Sequence, residues 1–440
     1  MLRRRARTYL PTVLRLLTQL ACISLILWAP GCAREKAPNE PSLAILTGRA
    51  VLPADTFADG PSVGSALDPN INGRDLPFDS VPVQGFSSLV PLANNQYLAL
   101  QDNGFGSRAN SPDFPLRWYQ LEFELDNPPR DGNPVTVLGF TEISDPHGLL
   151  PFKITHNDST RLLTGADLDP ESLVKMPDGS FWLGEEFGPS LVHVSAEGVV
   201  LEKPVDIPIV PILRRHARGS PFYRTPDHPD LRFLNHEETR NDLANLPRSG
   251  GIEGLALDTT GRLIYAAVEK PLRDDPMGDR RVILEFDPSR RSFTGNYWLY
   301  RADRPDVSLA SLEAVDGWFL LVVERDTEEG KDARIKRVYQ VELGRVDEGG
   351  FLVKTLVCDL LNIEDSRGLT HTERGAVGLG QYYRFPYVTP ECLVVLDENT
   401  LLIANDNNFP MSAGRRPPHT PDDNEFIRLE LKQPLATRSP

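Results

Sequence analysis

The segment 170–186, PESLVKMPDGSFWLGEE, contains the pattern that indicates the fold class. Two short apolar runs flank the turn Pro177-Asp178-Gly179, with Glu171 near the start of the first run and Glu186 after the end of the second. Short apolar runs joined by such a turn are typical of an antiparallel β-hairpin. The segment therefore predicts two paired strands that carry carboxylates at the same end.

Four other segments of the chain repeat this arrangement. The marked pairs of positions are Ser87 and Asp102, Glu171 and Glu186, Glu253 and Glu269, Glu313 and Glu324, and Glu391 and Asp406. The two members of a pair lie 15, 15, 16, 11 and 15 residues apart, and successive pairs begin 84, 82, 60 and 78 residues apart. The longer spacing suits a four-stranded blade with generous loops. The sequence predicts an all-β chain that forms a β-propeller over residues 44–432. We expect about six blades (five to seven), with loop insertions between blades.

Composition limits the classes of protein that the chain can belong to. It has 440 residues, 40% of them hydrophobic and 25% charged, which is ordinary for a globular protein. Its net charge is −15, whereas a nucleic-acid-binding surface needs a basic face to neutralise phosphates. We therefore expect no nucleic-acid partner. A monomer is also expected.

The N-terminal residues predict export. Five arginines precede the apolar run 16–28, and the small residues that follow lead to Cys32. This order is typical of a secretory signal, and the cysteine at the cleavage point resembles a bacterial lipobox. We expect a lipoprotein-type signal peptide over residues 1–31, lipidation of Cys32 and a tether over 32–43. The predicted location is the periplasmic face of the outer membrane, with the lipid anchor as the one membrane contact; an ordinary signal peptide is the alternative.

The repeated acids point to a cation site. Equivalent positions of successive blades converge around the propeller axis, and buried unpaired carboxylates are costly. The converging acids are Asp102, Glu171, Glu186, Glu253, Glu269, Glu313, Glu324, Glu391 and Asp406. Oxygen-rich sites prefer hard cations, and Ca²⁺ is the expected ion in an exported protein. The alternative is that these acids cap turns or pair with arginines between blades.

Four stretches of the chain resemble the phytase-like family described by an esterase-like activity of phytase. They are GFSSLV…LALQDNG, DPESLVKMPDGSFWLGEEFGP, GGIEGLALD and TPECLVVLDENTLLIANDNNFP…GRR…DDNEFIRLEL. The resemblance covers about residues 82–431, and the phytase-like domain is expected over about 82–411. It implies a propeller-like module whose recurrent acids suggest enzymatic activity. The family pattern falls on Glu171, Glu186, Glu253, Glu313, Glu391 and Asp406, with Asn407 and Asn408 beside the last. Ser87 and Glu185 depart from it.

Two classes of function fit these observations. The first is a Ca²⁺-dependent hydrolase of phosphate or carboxylate esters, in which Glu171 or Glu253 serves as general base and a small anionic or ester substrate binds; a lactonase-like metal propeller is a variant of it. Arg415, Asn407 and Asn408 are the expected substrate-binding residues, because a guanidinium matches an anion bidentately. The second class is a non-catalytic surface propeller in which calcium links the blades and which binds a partner.

Competing motifs carry little weight. Residues 60–64 match GxSxG, but this motif needs a strand before it and a helix after it, and neither is indicated. The eight histidines form no HExxH pattern. Cys358 and Cys392 lie in apolar runs, where either a disulfide or two buried thiols would fit.

Overall fold

The computed structural model describes residues 40–129 and 131–438. The predicted signal peptide, Cys32 and most of the tether lie outside these residues. Among the described residues, no helix is both long and apolar enough to cross a membrane.

Each of the first four repeats forms a four-stranded antiparallel sheet in which sequence neighbours pair in order. The strands are Phe86–Pro91, Gln96–Gln101, Arg117–Glu122 and Thr136–Glu142 in blade 1; Pro170–Lys175, Phe181–Glu185, Ser190–Val194 and Val205–Asp206 in blade 2; Ile252–Leu257, Ile264–Val268, Arg280–Asp287 and Ser292–Arg301 in blade 3; and Ser308–Ala314, Phe319–Arg325, Lys336–Val346 and Leu352–Asp359 in blade 4.

The fifth blade joins the two ends of the described chain. Its inner three strands are Thr389–Asp397, Thr400–Asp406 and Asn424–Leu431, and the early strand Ala44–Leu52 pairs antiparallel with the last of them. A short strand, Asn133–Pro134, pairs with Ala44–Leu52, which also pairs with Ile363–Glu364 and through it with Tyr382–Tyr383. The sheet therefore fastens the beginning of the propeller to its end.

The five blades close into a ring. The first strand of each blade contacts the first strand of the next, and that of blade 5 contacts that of blade 1. The predicted propeller is confirmed, and its blades number five, at the lower end of the expected range. Each blade corresponds to one of the five sequence repeats, and the described residues form no sixth blade.

Apolar layers between neighbouring blades hold the ring together. Between blades 2 and 3, for example, Val174 and Trp182 belong to one buried cluster with Leu255 and Phe286. These residues alternate along their strands with residues of the opposite face, as expected for strands covered on both sides. Because every blade is packed on two neighbours, the strand ends near the axis occupy fixed positions.

The segment between blades 2 and 3 contains the helices of the described chain. They are the 3-10 helices Pro211–His216 and Pro229–Leu231 and the α-helix Glu237–Leu243. Small two-stranded ribbons lie between the first strand and blade 1: Phe57–Ala58 with Val81–Pro82, and Asn70–Ile71 with Arg74–Asp75.

Every inner strand carries a bulge close to its start. The pairing register shifts between Phe86 and Ser88, Pro170 and Ser172, Ile252 and Gly254, Leu309 and Ser311, and Pro390 and Cys392. The residues inside these bulges are Ser87, Glu171, Glu253, Ala310 and Glu391. A bulge re-aims the side chain of its extra residue. The fold therefore sets one re-aimed side chain per blade at the same end of the ring.

Candidate metal centre

The bulges and the ends of the second strands bring acidic residues together. Seven of the nine acids expected to converge lie at these two sets of positions, and each of the seven is nine-tenths buried or more; they are Asp102, Glu171, Glu186, Glu253, Glu269, Glu391 and Asp406. We call these seven residues, with Asp169 and Arg325 described below, the axial cluster.

Two groups of three carboxylates lie inside the axial cluster. Oxygen atoms of Asp169, Glu171 and Glu186 lie within 4.8 Å of one another, and so do oxygen atoms of Glu186, Glu253 and Glu269. All five residues are buried, and Glu186 belongs to both groups. The carboxylates therefore surround two adjacent positions that share one side chain.

Asp169 was missed by the comparison of repeats. It directly precedes the inner strand of blade 2, and the residues two places before the other bulges are Gly85, Gly251, Ser308 and Thr389. None of these is acidic, so no repeated signal pointed to this position. Asp169 is held in place by Asn103, whose backbone N and side-chain Nδ2 donate to its two oxygens at 3.2 and 2.6 Å.

A guanidinium takes the place of the fifth acid. Arg325 Nη2 lies 3.0 Å from Glu253 Oε1 and 3.4 Å from an oxygen of both Glu269 and Glu391. The blade 4 residues equivalent to the other pairs are Ala310 and Arg325, which are 15 residues apart. The spacing of 11 that separates Glu313 from Glu324 was therefore the sign of a misaligned repeat.

Glu324 and Glu313 occupy other surroundings. Glu324 accepts hydrogen bonds from the Tyr300 hydroxyl at 2.6 Å and from Lys354 Nζ at 2.5 Å, in a polar cluster of blades 3 and 4. Glu313 lies three residues beyond the bulge on its strand, where burial raises its pKa to about 8 and the backbone N–H of Val395 lowers it in part. The structure thus leaves both out of the axial cluster.

Burial and mutual repulsion dominate the electrostatics of the axial cluster. Burial, followed by neighbouring carboxylates, raises the pKa of Glu171, Glu186 and Glu391 well above the ordinary value. Burial and Glu269 raise the pKa of Glu253 to about 8, and Arg325 lowers it in part.

Glu269 and Asp406 show how local partners change this balance. Burial also raises the pKa of Glu269, but the adjacent Lys270 and Arg325 outweigh it, so the net shift is downward. Burial raises the pKa of Asp406 to about 6, while the backbone N–H of Asn408 opposes the shift. The eight carboxylates of the axial cluster therefore exceed the positive charge that Arg325 and Lys270 supply.

Among the described residues, some buried polar atoms at the bulge and strand-end positions lack a hydrogen-bond partner. They include Ser87 Oγ and Arg325 Nε, and other atoms without a partner lie elsewhere in the described chain. Buried polar groups normally have partners, including ions and ordered water. Because the ligand atoms of both carboxylate groups are all oxygen, these groups could bind a metal ion that prefers oxygen ligands.

The three predicted substrate-binding residues are engaged in structural contacts. Arg415 is buried, and its nitrogens donate to Glu425 at 3.0 Å, to the hydroxyls of Tyr383 and Tyr387, and to backbone carbonyls. Arg49 Nη2 also contacts Glu425, at 2.8 Å, so two arginines together neutralise this buried carboxylate. The structure therefore gives Arg415 a role in closing blade 5.

Asn407 and Asn408 likewise serve the fold. Asn407 is fully buried; its Nδ2 donates to the Asp422 carbonyl at 2.8 Å, and its Oδ1 accepts from the backbone N of Gly85 at 3.2 Å. Asn408 donates from Nδ2 to the Thr389 hydroxyl at 2.5 Å. These contacts link blade 5 to blade 1 and fix the turn after Asp406.

Most of the chain matches a known protein family. Residues 81–409 match the family described as "Phytase-like: Esterase-like activity of phytase". The chain belongs to this family. The matched range begins just before the inner strand of blade 1 and ends three residues after Asp406, so it contains every member of the axial cluster.

An individual relative matches only part of this chain. The chain is 30% identical over 129 residues to an "Uncharacterized secreted protein" of Arthroderma benhamiae, a match that covers 28% of this chain and 24% of that protein. The match thus spans about a quarter of the curated relative's length.

The solved structures that resemble this chain share little sequence with it. A GH43 β-1,3-galactosidase with galactodeoxynojirimycin has 11% identity and a TM-score of 0.41, and the match covers 86% of this chain and 94% of that one. A luciferin-regenerating enzyme has 9% identity and a TM-score of 0.36, with 81% and 82% covered.

Proposed function

We propose that this protein is an exported hydrolase of phosphate or carboxylate esters that acts with a divalent cation, Ca²⁺, at the axial cluster. The observation that carries the proposal is the pair of three-carboxylate groups that share Glu186. A fold that buries eight carboxylates around one arginine and one lysine gains stability if a cation completes the balance of charge. Membership of the phytase-like family supports a hydrolase.

Different residues of the axial cluster would bind the cation, transfer the proton and position the base. Asp169, Glu171, Glu186 and Glu269 would hold the cation, which when bound would polarise an oxygen of the substrate. Glu253 would transfer the proton, because its pKa of about 8 brings proton exchange near neutral pH. Arg325 fixes the Glu253 carboxylate through the 3.0 Å contact. No covalent nucleophile is needed for this route.

Export rests on the N-terminal sequence. The basic residues, the apolar run 16–28 and Cys32 predict a lipid-anchored protein, with the periplasmic face of the outer membrane as its place. The relative from Arthroderma benhamiae, which is described as secreted, supports export in the broader sense.

One observation favours a second candidate function. Every acid of the axial cluster is at most 9% exposed, so substrate would have to reach a deeply buried centre. Such burial fits a non-catalytic propeller in which calcium links the blades and which binds a partner. In this case the cation would change stability but support no turnover.

Hydrolysis assays with matched variants separate the two functions. The purified protein is assayed with p-nitrophenyl phosphate and a p-nitrophenyl acyl ester, in calcium and in excess chelator. If the axial cluster is catalytic, calcium supports a turnover that Glu253→Gln abolishes. Glu313→Gln, which changes a partly buried acid outside the cluster, should retain this turnover. Equal rates in wild type and Glu253→Gln, or no calcium-dependent turnover of either substrate, would refute the catalytic proposal.

A further inference from the structure

A cavity lies at the end of the propeller opposite to the axial cluster. It has a volume of about 550 Å³ and lies between blades 2 and 3, where Trp182, Leu263 and Pro288 contribute to its apolar wall. Ser180 and His193 also line it. Ser180 precedes the strand Phe181–Glu185, and Glu186 follows it. Six residues of extended chain separate the two sites by about 20 Å.

Three polar side chains form a chain of hydrogen bonds beside this cavity. Ser180 Oγ lies 2.9 Å from His193 Nε2, and His193 Nδ1 lies 2.9 Å from Glu202 Oε1. Trp182 stacks on the His193 ring with centroids 4.5 Å apart and planes 1° apart. Arg291 Nη1 contacts the other oxygen of Glu202 at 2.6 Å. The imidazole is therefore held by contacts on its face and at both nitrogens.

The order of contacts is that of an activated serine. We propose that Ser180, His193 and Glu202 form a second catalytic site, which hydrolyses small acyl esters without a metal ion. Such a site requires a hydroxyl within hydrogen-bond reach of a base that a third group orients. The sequence pattern did not reveal it, because the serine precedes one strand, the histidine lies on the next, and the glutamate follows a turn.

The reaction balances with these groups and water alone. Ser180 Oγ bonds to the ester carbonyl carbon while its proton passes to His193 Nε2, and the carbonyl oxygen takes the electron pair. Collapse of this adduct breaks the bond to the alcohol oxygen, which receives the proton from His193. Water then repeats the sequence on the acyl-serine, releases the carboxylic acid and restores the Ser180 hydroxyl. Glu202 stabilises the imidazolium throughout.

Ser180 differs from Ser289, a serine on the same cavity, because Ser180 has a histidine partner. Asp178 Oδ1 accepts from the backbone N and the hydroxyl of Ser180 at 2.9 and 2.7 Å. Asp287 accepts the same two bonds from Ser289, at 3.0 and 2.6 Å, on the same cavity. No hydrogen bond joins Ser289 to a histidine among the described residues. The Ser180 hydroxyl has one proton, for which Asp178 Oδ1 and His193 Nε2 are alternative acceptors at 2.7 and 2.9 Å. Glu202 favours the tautomer with the proton on Nδ1, so Nε2 can accept the Ser180 proton when the hydroxyl turns from Asp178 to His193.

The walls of the cavity indicate the class of substrate. Its volume falls in the range of small-molecule sites, roughly 300–1,000 Å³. Met176, Trp182, Leu263 and Pro288 offer apolar surface for an acyl chain. Arg262, whose Nε donates to the Thr260 hydroxyl at 2.9 Å, brings a positive charge to the same cavity. This combination fits a short-chain acyl ester whose carbonyl oxygen gains negative charge during reaction.

The test combines hydrolysis with covalent labelling, both in excess chelator so that the axial cluster does not contribute. The purified protein should hydrolyse p-nitrophenyl butyrate, and Ser180→Ala and His193→Gln should lower kcat/KM at least ~100-fold. Thr160→Ala is the control, because Thr160 makes the same turn contact with Asp158, at 2.6 Å, on an exposed loop. Its rate should equal that of wild type.

Labelling of the wild type keeps the test independent of variant folding. A fluorophosphonate ester should form an adduct on the peptide that contains Ser180 and leave Ser289 unmodified. Hydrolysis that Ser180→Ala leaves unchanged, or a treated wild-type protein with no adduct on Ser180, would overturn the second site. Neither result would bear on the calcium-dependent hydrolysis proposed for the axial cluster.

Discussion

Glu186→Gln should separate the calcium response of the protein from its intrinsic stability. Glu186 belongs to both three-carboxylate groups, so its amide variant leaves each group with two carboxylates. Calcium at 100 times its Kd would stabilise the wild type by about 2.7 kcal/mol through mass action. For a chain of 440 residues, an unfolding entropy of roughly 0.9 kcal/mol/K makes this a rise in Tm of about 3 °C.

The variant should change both the affinity for calcium and the stability of the protein without calcium. If the affinity for calcium falls ~100-fold, as loss of a supporting group alone can cause, the same calcium concentration stabilises by only about 0.4 kcal/mol and raises Tm by less than about 1 °C. In chelator the variant should melt above the wild type, because burial and repulsion from Glu253 oppose the charge of Glu186.

Differential scanning calorimetry with calcium and with chelator measures both effects. Glu313→Gln is the matched control, since Glu313 is a partly buried acid whose pKa is also raised but which lies outside the axial cluster. It should keep the calcium response of the wild type. A wild-type Tm that is the same in calcium and in chelator, or equal calcium responses in the two variants, would refute the reasoning.

Three further predictions concern the axial arginine, a buried histidine and the N-terminus. Arg325→Met should lower the free energy of unfolding in chelator by about 3 kcal/mol, since it leaves Glu253 without its buried partner; urea unfolding that matches wild type would contradict this. Burial lowers the pKa of His228 to about 4, and its Nδ1 accepts from the backbone N of Asp230 at 3.1 Å. The unfolded histidine binds a proton below about pH 6.5 and the folded one only near pH 4, so this contribution to stability is lost as pH falls through that window. Between pH 7 and 4.5 the wild type should therefore lose about 2 kcal/mol more than His228→Asn, which retains a capping side chain; equal losses in urea titrations would count against it. Cys32→Ser should abolish lipid labelling and release the protein from membranes, and a wild type without lipid label that stays membrane-bound would exclude the anchor.

The repeated unit can be predicted from local features of the chain. Two strands joined by a turn, with polar residues marked at one end, can be predicted from local alternation and turn residues, because neighbouring residues alone set these features. The repeat also implied that Glu171, Glu253 and Glu391 would face a common axis, since equivalent positions of equivalent blades are related by rotation. The all-β propeller followed from this unit and its recurrence.

Packing between blades determines which side chains meet and which charges neutralise them. Ala310 and Arg325 became the blade 4 members of the axial set through strand pairing, which the shorter spacing from Glu313 to Glu324 obscured. Asp169 joined the cluster from a position with no repeated signal, because contact across blade boundaries depends on packing between sheets. The same holds for Arg415, whose partner Glu425 is set by the closure of blade 5. Local sequence determines to which face of the strand a side chain points. The charged groups that it contacts belong to residues that are distant in the chain, so packing determines them.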